Sequence, residues 1–154
     1  MRSVLLKICA LSLATTLHIL AADPSVGTWK LNLAKSKFHP GPAPKSQTAT
    51  FTSDGEWINS KSEGTDAAGM AVSSINRYKR DGKEYPFKTR DGEGVISIKT
   101  VDAHNNTGSI KRDGKVVSTF RTNFSKDGKV RTMTTEGTNP DGKKFKNVLV
   151  FDKQ

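Results

Sequence analysis

Cysteine is almost missing from this 154-residue chain: Cys9 stands alone, inside an apolar N-terminal stretch. Beyond residue 22 there is no thiol, which excludes disulfides, a cysteine nucleophile and thiolate metal ligands. Histidine is nearly as scarce there, with only His39 and His104. A zinc site needs three or four converging ligands, and a serine triad needs a base beside its nucleophile. Two remote imidazoles and no Gly-x-Ser-x-Gly elbow supply neither. The Asx residues Asp102, Asn105 and Asn106 lack EF-hand spacing and its terminal Glu, and no glycine-rich phosphate loop occurs. The residues therefore imply no cofactor, no metal and no catalytic constellation. Helical apolar periodicity is also lacking, as is any long apolar run after Leu20.

What the chain does have begins with its first residues. Arg2 and Lys7 precede a mostly apolar run, Ile8 to Leu20, and then the small pair Ala21-Ala22. This is the layout of a secretory signal peptide cut near Ala21 or Ala22. The run falls short of the roughly 20 apolar residues that span a bilayer. Residues 1–22 are thus read as a leader and 23–154 as one domain, secreted or periplasmic.

The formal charge of +10 falls to +8 without Arg2 and Lys7. A basic balance can serve anionic surfaces. Much of this charge, however, is spread over Arg80-Asp81-Gly82-Lys83, Arg112-Asp113-Gly114-Lys115 and Lys126-Asp127-Gly128-Lys129, a pattern that keeps sheet rims soluble.

Asp-Gly recurs at Asp54, Asp81, Asp91, Asp113, Asp127 and Asp141, between runs of strand-forming residues. Glycine accepts positive φ at little cost, so these pairs read as tight turns. Strands are expected at about 26–33, 46–53, 56–63, 70–79, 94–101, 106–112, 115–124, 129–136 and 143–152, with a short one near 83–87 where Pro86 implies an edge or a break. The segment from Phe51 through Asp54-Gly55, Glu63-Gly64-Thr65 and Gly69 repeats at Phe124, Asp127-Gly128, Glu136-Gly137-Thr138 and Gly142, always 73 residues on. Both Asp-Gly and Gly-Thr read as turns, and Glu63 and Glu136 as solvated residues flanking them. An internally duplicated meander of this kind implies an all-β fold: an antiparallel up-and-down barrel of 8–10 strands.

Alternation assigns an inner face to Trp29, Leu31 and Leu33; to Val72, Ser74, Asn76 and Tyr78; to Ile96 and Ile98; to Val116, Ser118, Phe120, Thr122 and Phe124; and to Phe145, Asn147, Leu149 and Phe151. The mixture of aromatic and small polar groups fits a semi-polar cavity, or polar groups that bond neighbouring backbone. Residues 34–45, with Pro40, Pro42 and Pro44, form the one long loop. Its Phe38 to Pro44 portion is a candidate lid.

Gly27-Thr28-Trp29-Lys30-Leu31 resembles the first-strand Gly-x-Trp motif of the calycins, the lipocalins and fatty-acid-binding proteins among them. Together with the proline-rich loop and the ending Asn147 to Gln154, it resembles small secreted bacterial lipocalin-like proteins. The resemblance implies a barrel that takes a small apolar ligand inside. It also implies a Trp29 packed at the closed end beneath a late-strand cation, for which Arg121 and Arg131 are the candidates. The Arg-x-Tyr carboxylate clamp of fatty-acid-binding proteins is missing, because Leu149 and Phe151 occupy its positions.

The expected function is binding of a small, partly apolar molecule by Trp29, Phe51, Tyr78, Ile96, Ile98, Phe120, Asn147 and Leu149. The alternative is a basic module for anionic envelope or extracellular polymers, using Lys83, Lys88, Arg90, Lys143 and Lys144. Trp57, Tyr85 and Phe87 lie among lysines and permit a base-stacking patch, but export argues against nucleic acid as the partner.

Overall fold

Every regular element in residues 23–154, the part that the computed structural model describes, is a β-strand. The expected leader lies outside the described residues. The strands are β1 (Gly27–Leu31), β2 (Lys37–His39), β3 (Ser46–Asp54), β4 (Trp57–Thr65), β5 (Ala71–Tyr78) and β6 (Asp81–Thr89), followed by β7 (Gly92–Asp102), β8 (Asn105–Arg112), β9 (Lys115–Phe124), β10 (Val130–Thr138) and β11 (Lys144–Lys153). Their spatial order is β5-β4-β3-β1-β11-β10-β9-β8-β7-β6, with β2 also on β11. All neighbours pair antiparallel. The path begins and ends on strands that are consecutive in the chain, so the sheet curls into a nearly closed barrel. Ten strands make the wall, the top of the expected range; the short β2 is additional.

The seam lies between β5 and β6, and a side chain stitches it. Asn76 Nδ2 donates to the Lys88 carbonyl at 3.1 Å, and the Lys88 N–H donates to Asn76 Oδ1 at 2.8 Å. One amide thus reproduces a pair of ladder bonds. Pro86 sits two residues away on β6, so its missing N–H would point the same way as that of Lys88, towards the seam. An edge strand tolerates proline there. The expected short strand near 83–87 is therefore a full edge strand, Asp81–Thr89.

The first strand is interrupted rather than followed by one long loop. β1 pairs with Phe151–Lys153 of β11, and β2 resumes on Lys146–Val148 of the same strand. Residues 32–36 bulge out between them. The Asn32 side chain accepts from Lys35 N–H at 3.1 Å, and Ser36 Oγ accepts from Val150 N–H at 2.9 Å. Leu33, expected inside, lies in this bulge and is 42% exposed. Val116 is likewise 55% exposed, because a register shift between Ile110 and Lys111 of β8 breaks the alternation early in β9.

Turn chemistry accounts for most corners. Gly55, Gly92, Gly114, Gly128 and Gly142 all adopt positive φ at or beside strand ends. Asp113 joins Gly114 with φ 49°, as a two-residue hairpin loop requires. Asp81-Gly82 is the exception: it starts β6 and forms an irregularity in the pairing with β7, not a hairpin. The Gly-Thr pairs are also not turns, for Gly64 and Gly137 lie within β4 and β10. A Cβ at either would meet a backbone oxygen at 2.2 Å, Ser46 O for Gly64 and Val117 O for Gly137. Glycine is needed there for close approach. The turns fall just beyond, where Asp66 and Asn139 make matching bonds: each accepts on its side-chain oxygen from residue i+4 and on its carbonyl from residue i+3.

Two apolar clusters fill the interior. Trp29, Leu31, Phe124, Leu149 and Phe151 form one, and Ile58, Tyr78, Ile96 and Ile98 the other. Phe51 packs against both.

Candidate functional site

One end of the barrel is closed by the chain leading into β1. Trp29 is wholly buried, and its indole N–H donates to the Ser25 carbonyl at 2.8 Å. Asp23 pairs with Arg80, whose guanidinium also donates to Ser25 Oγ at 3.3 Å. The cation over the Trp29 ring is Lys153, at 5.2 Å, rather than Arg121 or Arg131. Register explains this, since Lys153 faces Trp29 directly across β1 and β11. Arg121 lies on the outer face. Arg131 points inward and stacks on Phe151 at 4.9 Å and on Phe51 at 5.1 Å.

Just above this plug is a chamber of about 40 Å³ lined by Phe51, Tyr78, Ile98, Phe120, Asn106, Thr122 and Arg131, with Ser25 and Arg80 at its base. Burial pushes the Arg131 guanidinium down to about 10, opposed by the Tyr78 phenol, so it stays protonated at neutral pH. The phenol of Tyr78 is raised by burial, which outweighs the nearby Arg131 charge and its bond to Ser60.

The opposite end opens into a larger cavity of about 600 Å³. Its inner wall is Gln47, Ser62, Val72, Ser74, Phe87 and Thr89. Pro42 and Pro44 border it, together with the hairpin tips at 66–68 and 90–91. Gln47 Nε2 donates to Ser62 Oγ at 3.0 Å. Arg90 and Asp66 pair between the two tips, tying the ends of β4 and β6 together over the seam. The polar inner residues are partly satisfied within the wall: Ser118 and Thr135 hydroxyls meet at 3.0 Å, and Asn76 serves the seam. Another concavity, about 690 Å³, lies on the outer wall among Ser97, Lys99, Thr107, Ser109, Thr119 and Arg121, whose side chains point away from the interior.

The structure brings Phe51, Tyr78, Ile98 and Phe120 together around the closed-end chamber. Ile96 packs beside them in the same apolar cluster, whereas Trp29 and Leu149 belong to the cluster at the plug. Asn147 accepts the His39 N–H at 3.0 Å and so fastens β2 to β11. Phe38 of the expected lid packs on the plug cluster. Of the mouth residues, Phe87 stood out in the sequence only as part of a base-stacking patch, and Gln47, Ser62 and Thr89 did not stand out at all, although alternation from Ile58 through Ser60 reaches Ser62. Of the basic residues in the alternative reading, Lys88 pairs with Glu93 and Arg90 with Asp66. Glu63 and Glu136 pair with Lys61 and Lys146 on the outer surface.

No family model matches the sequence, and no curated protein matches it. Solved structures do match in fold. The fatty acid binding protein of Schistosoma mansoni, in complex with arachidonic acid, superposes with a TM-score of 0.59 at 18% identity, over 85% of this chain and 96% of that one. The zebrafish ileal bile acid-binding protein complexed with cholic acid gives 0.56 at 14% identity, over 85% and 99%. As-p18, described as an extracellular fatty acid binding protein, gives 0.54 at 13%, over 86% and 97%. The fold is thus that of the calycin-type barrels.

Proposed function

We propose that the protein is an exported, non-enzymatic carrier that binds a small, partly apolar molecule through the open end of its barrel. The mouth cavity carries this reading. At about 600 Å³ it falls within the roughly 300–1,000 Å³ range of small-molecule sites, and it joins apolar Phe87, Val72 and Pro44 to polar Gln47, Ser62 and Ser74. The molecules bound by two of the similar barrels, arachidonic acid and cholic acid, support the same class. The leader pattern of residues 1–22 and the extracellular setting of one similar protein support export. Of the residues that the sequence singles out, Phe51, Tyr78, Ile98 and Phe120 are the inner contacts of this reading, reached by a ligand that penetrates beyond the mouth.

Nile red titration tests it. The protein should enhance the dye's fluorescence, and an extract should displace the dye, with mass spectrometry of the retained fraction giving the ligand class. Phe87→Ala should weaken dye binding by about tenfold, the effect of losing one buried aromatic contact, while leaving the fold intact. Binding should be insensitive to added salt, in contrast to association with a polyanion. No dye uptake, or uptake unchanged by Phe87→Ala, refutes the reading.

A further inference from the structure

The closed-end chamber holds a cation that the barrel itself does not neutralise. Arg131 is nine-tenths buried. Among the described residues, its guanidinium lies within ion-pair distance of no carboxylate, and the one acceptor it meets is the Met133 sulfur at 3.5 Å. Its faces rest on Phe51 and Phe151, which leaves the edge, where its N–H donors lie, free to address a ligand. Around the same small space stand the amide of Asn106 and the hydroxyl of Thr122, 8% and 5% exposed, with no side-chain partner among the described residues. The Tyr78 phenol completes the ring. Arg80 at the base is already paired with Asp23, so the chamber as a whole keeps one positive charge in excess.

Buried charge without a counter-charge is costly, and water can solvate a guanidinium but cannot neutralise it. The natural complement is an oxyanion, which accepts from the guanidinium edge and from neutral donors at once. We propose that this chamber is a binding site for an oxyanion group, a carboxylate or phosphate, held by Arg131 with Tyr78, Asn106 and Thr122. Three of the donors come from the neighbouring strands β8, β9 and β10, where Asn106 and Thr122 face each other in register, and Tyr78 on β5 joins them only because the sheet curls into a barrel. The final strand contributes none of them. Its lining shares no residue with that of the mouth cavity, so the site stands whether or not the mouth takes an apolar ligand. The oxyanion has two possible sources: a free small anion, or the acidic end of a longer molecule reaching down from the mouth.

Titrations with acetate, inorganic phosphate, laurate and dodecanol, at constant ionic strength in a non-coordinating buffer, separate these sources. Arg131→Met keeps much of the side-chain volume, and Tyr78→Phe removes only the hydroxyl. Acetate or phosphate binding to the wild type, weakened about tenfold or more by Arg131→Met, identifies a free-anion site. Binding of laurate alone, weakened likewise while dodecanol is unaffected, identifies the acidic end of an amphiphile. Because Arg131→Met can unfold the barrel, the wild-type Arg131 Nε–H resonance provides a second reading. It should shift on titration with the binding anion, and Tyr78→Phe should weaken that binding by a few-fold. If none of the anions binds, or if the Nε–H signal stays put and both variants bind as the wild type does, the proposal is overturned.

Discussion

Replacing Asn76 with alanine removes both hydrogen bonds that join β5 to β6, at 3.1 and 2.8 Å. Each such bond contributes about 0.5–1.5 kcal/mol net, and the buried amide leaves a small void behind. The Lys88 backbone lies at an exposed position, so water partly rescues its N–H and carbonyl. The expected loss is therefore about 2–3 kcal/mol, or roughly 10 °C in melting temperature for a domain of this size. Urea denaturation measures the first quantity, and amide hydrogen exchange localises it: protection at Lys88 should collapse while the β8–β9 ladder keeps its own. Asn76→Asp sharpens the test. A carboxylate can still accept from the Lys88 N–H, but it opposes the Lys88 carbonyl, which favours the protonated acid. The Asp variant should therefore recover stability relative to the wild type as pH falls towards the ordinary aspartate range near 4. If Asn76→Ala stays within about 0.5 kcal/mol of the wild type with Lys88 still protected, the seam is held by something other than this amide.

Gly137→Ala should destabilise the protein by about 2 kcal/mol or more, because its Cβ would lie 2.2 Å from the Val117 carbonyl oxygen and 2.9 Å from Phe145 Cζ; an unchanged urea midpoint would contradict the close crossing. Asp152 accepts from Asn32 Nδ2 at 2.6 Å, and this bond, helped by the Lys35 charge, holds its carboxyl below the usual 3.8. Its contribution is complete above that value and lost as pH falls through the lower folded value, so Asp152→Asn should flatten stability against pH below about pH 4 and nowhere else.

Much of the fold was legible because its signals are local. Positive φ at Gly55, Gly92, Gly114, Gly128 and Gly142 is what Asp-Gly spacing announces, and strand alternation located Trp29, Tyr78, Ile96 and Ile98 on the inner face. Glycine carries two meanings, however. Gly64 and Gly137 serve backbone approach rather than turning, and sequence alone does not distinguish the two uses. The break in the first strand was written in Asn32 and Ser36, short polar residues that cap their own backbone, but the prolines downstream drew the loop boundary too widely. The pairing of Lys153 with Trp29 depends on register between chain ends more than a hundred residues apart. Arg131 was visible as a late-strand cation. Its place at the closed-end chamber was not, because that depends on which rings it stacks upon.

These observations converge on β5. Along its inner face, Val72 and Ser74 line the mouth, Asn76 closes the seam, and Tyr78 lines the closed-end chamber. The stitch therefore stands between the two cavities. It is also the weakest course in the wall, two side-chain bonds where other neighbours share whole ladders. In the proposed reading, a molecule that extends from the mouth to Arg131 runs along the inner face of β5 past that amide, and a wall that opens there admits it without breaking any strand pairing. Stability and access are consequently coupled at one residue. Asn76→Ala, which loosens the seam, should speed entry to the chamber even as it lowers the stability of the barrel.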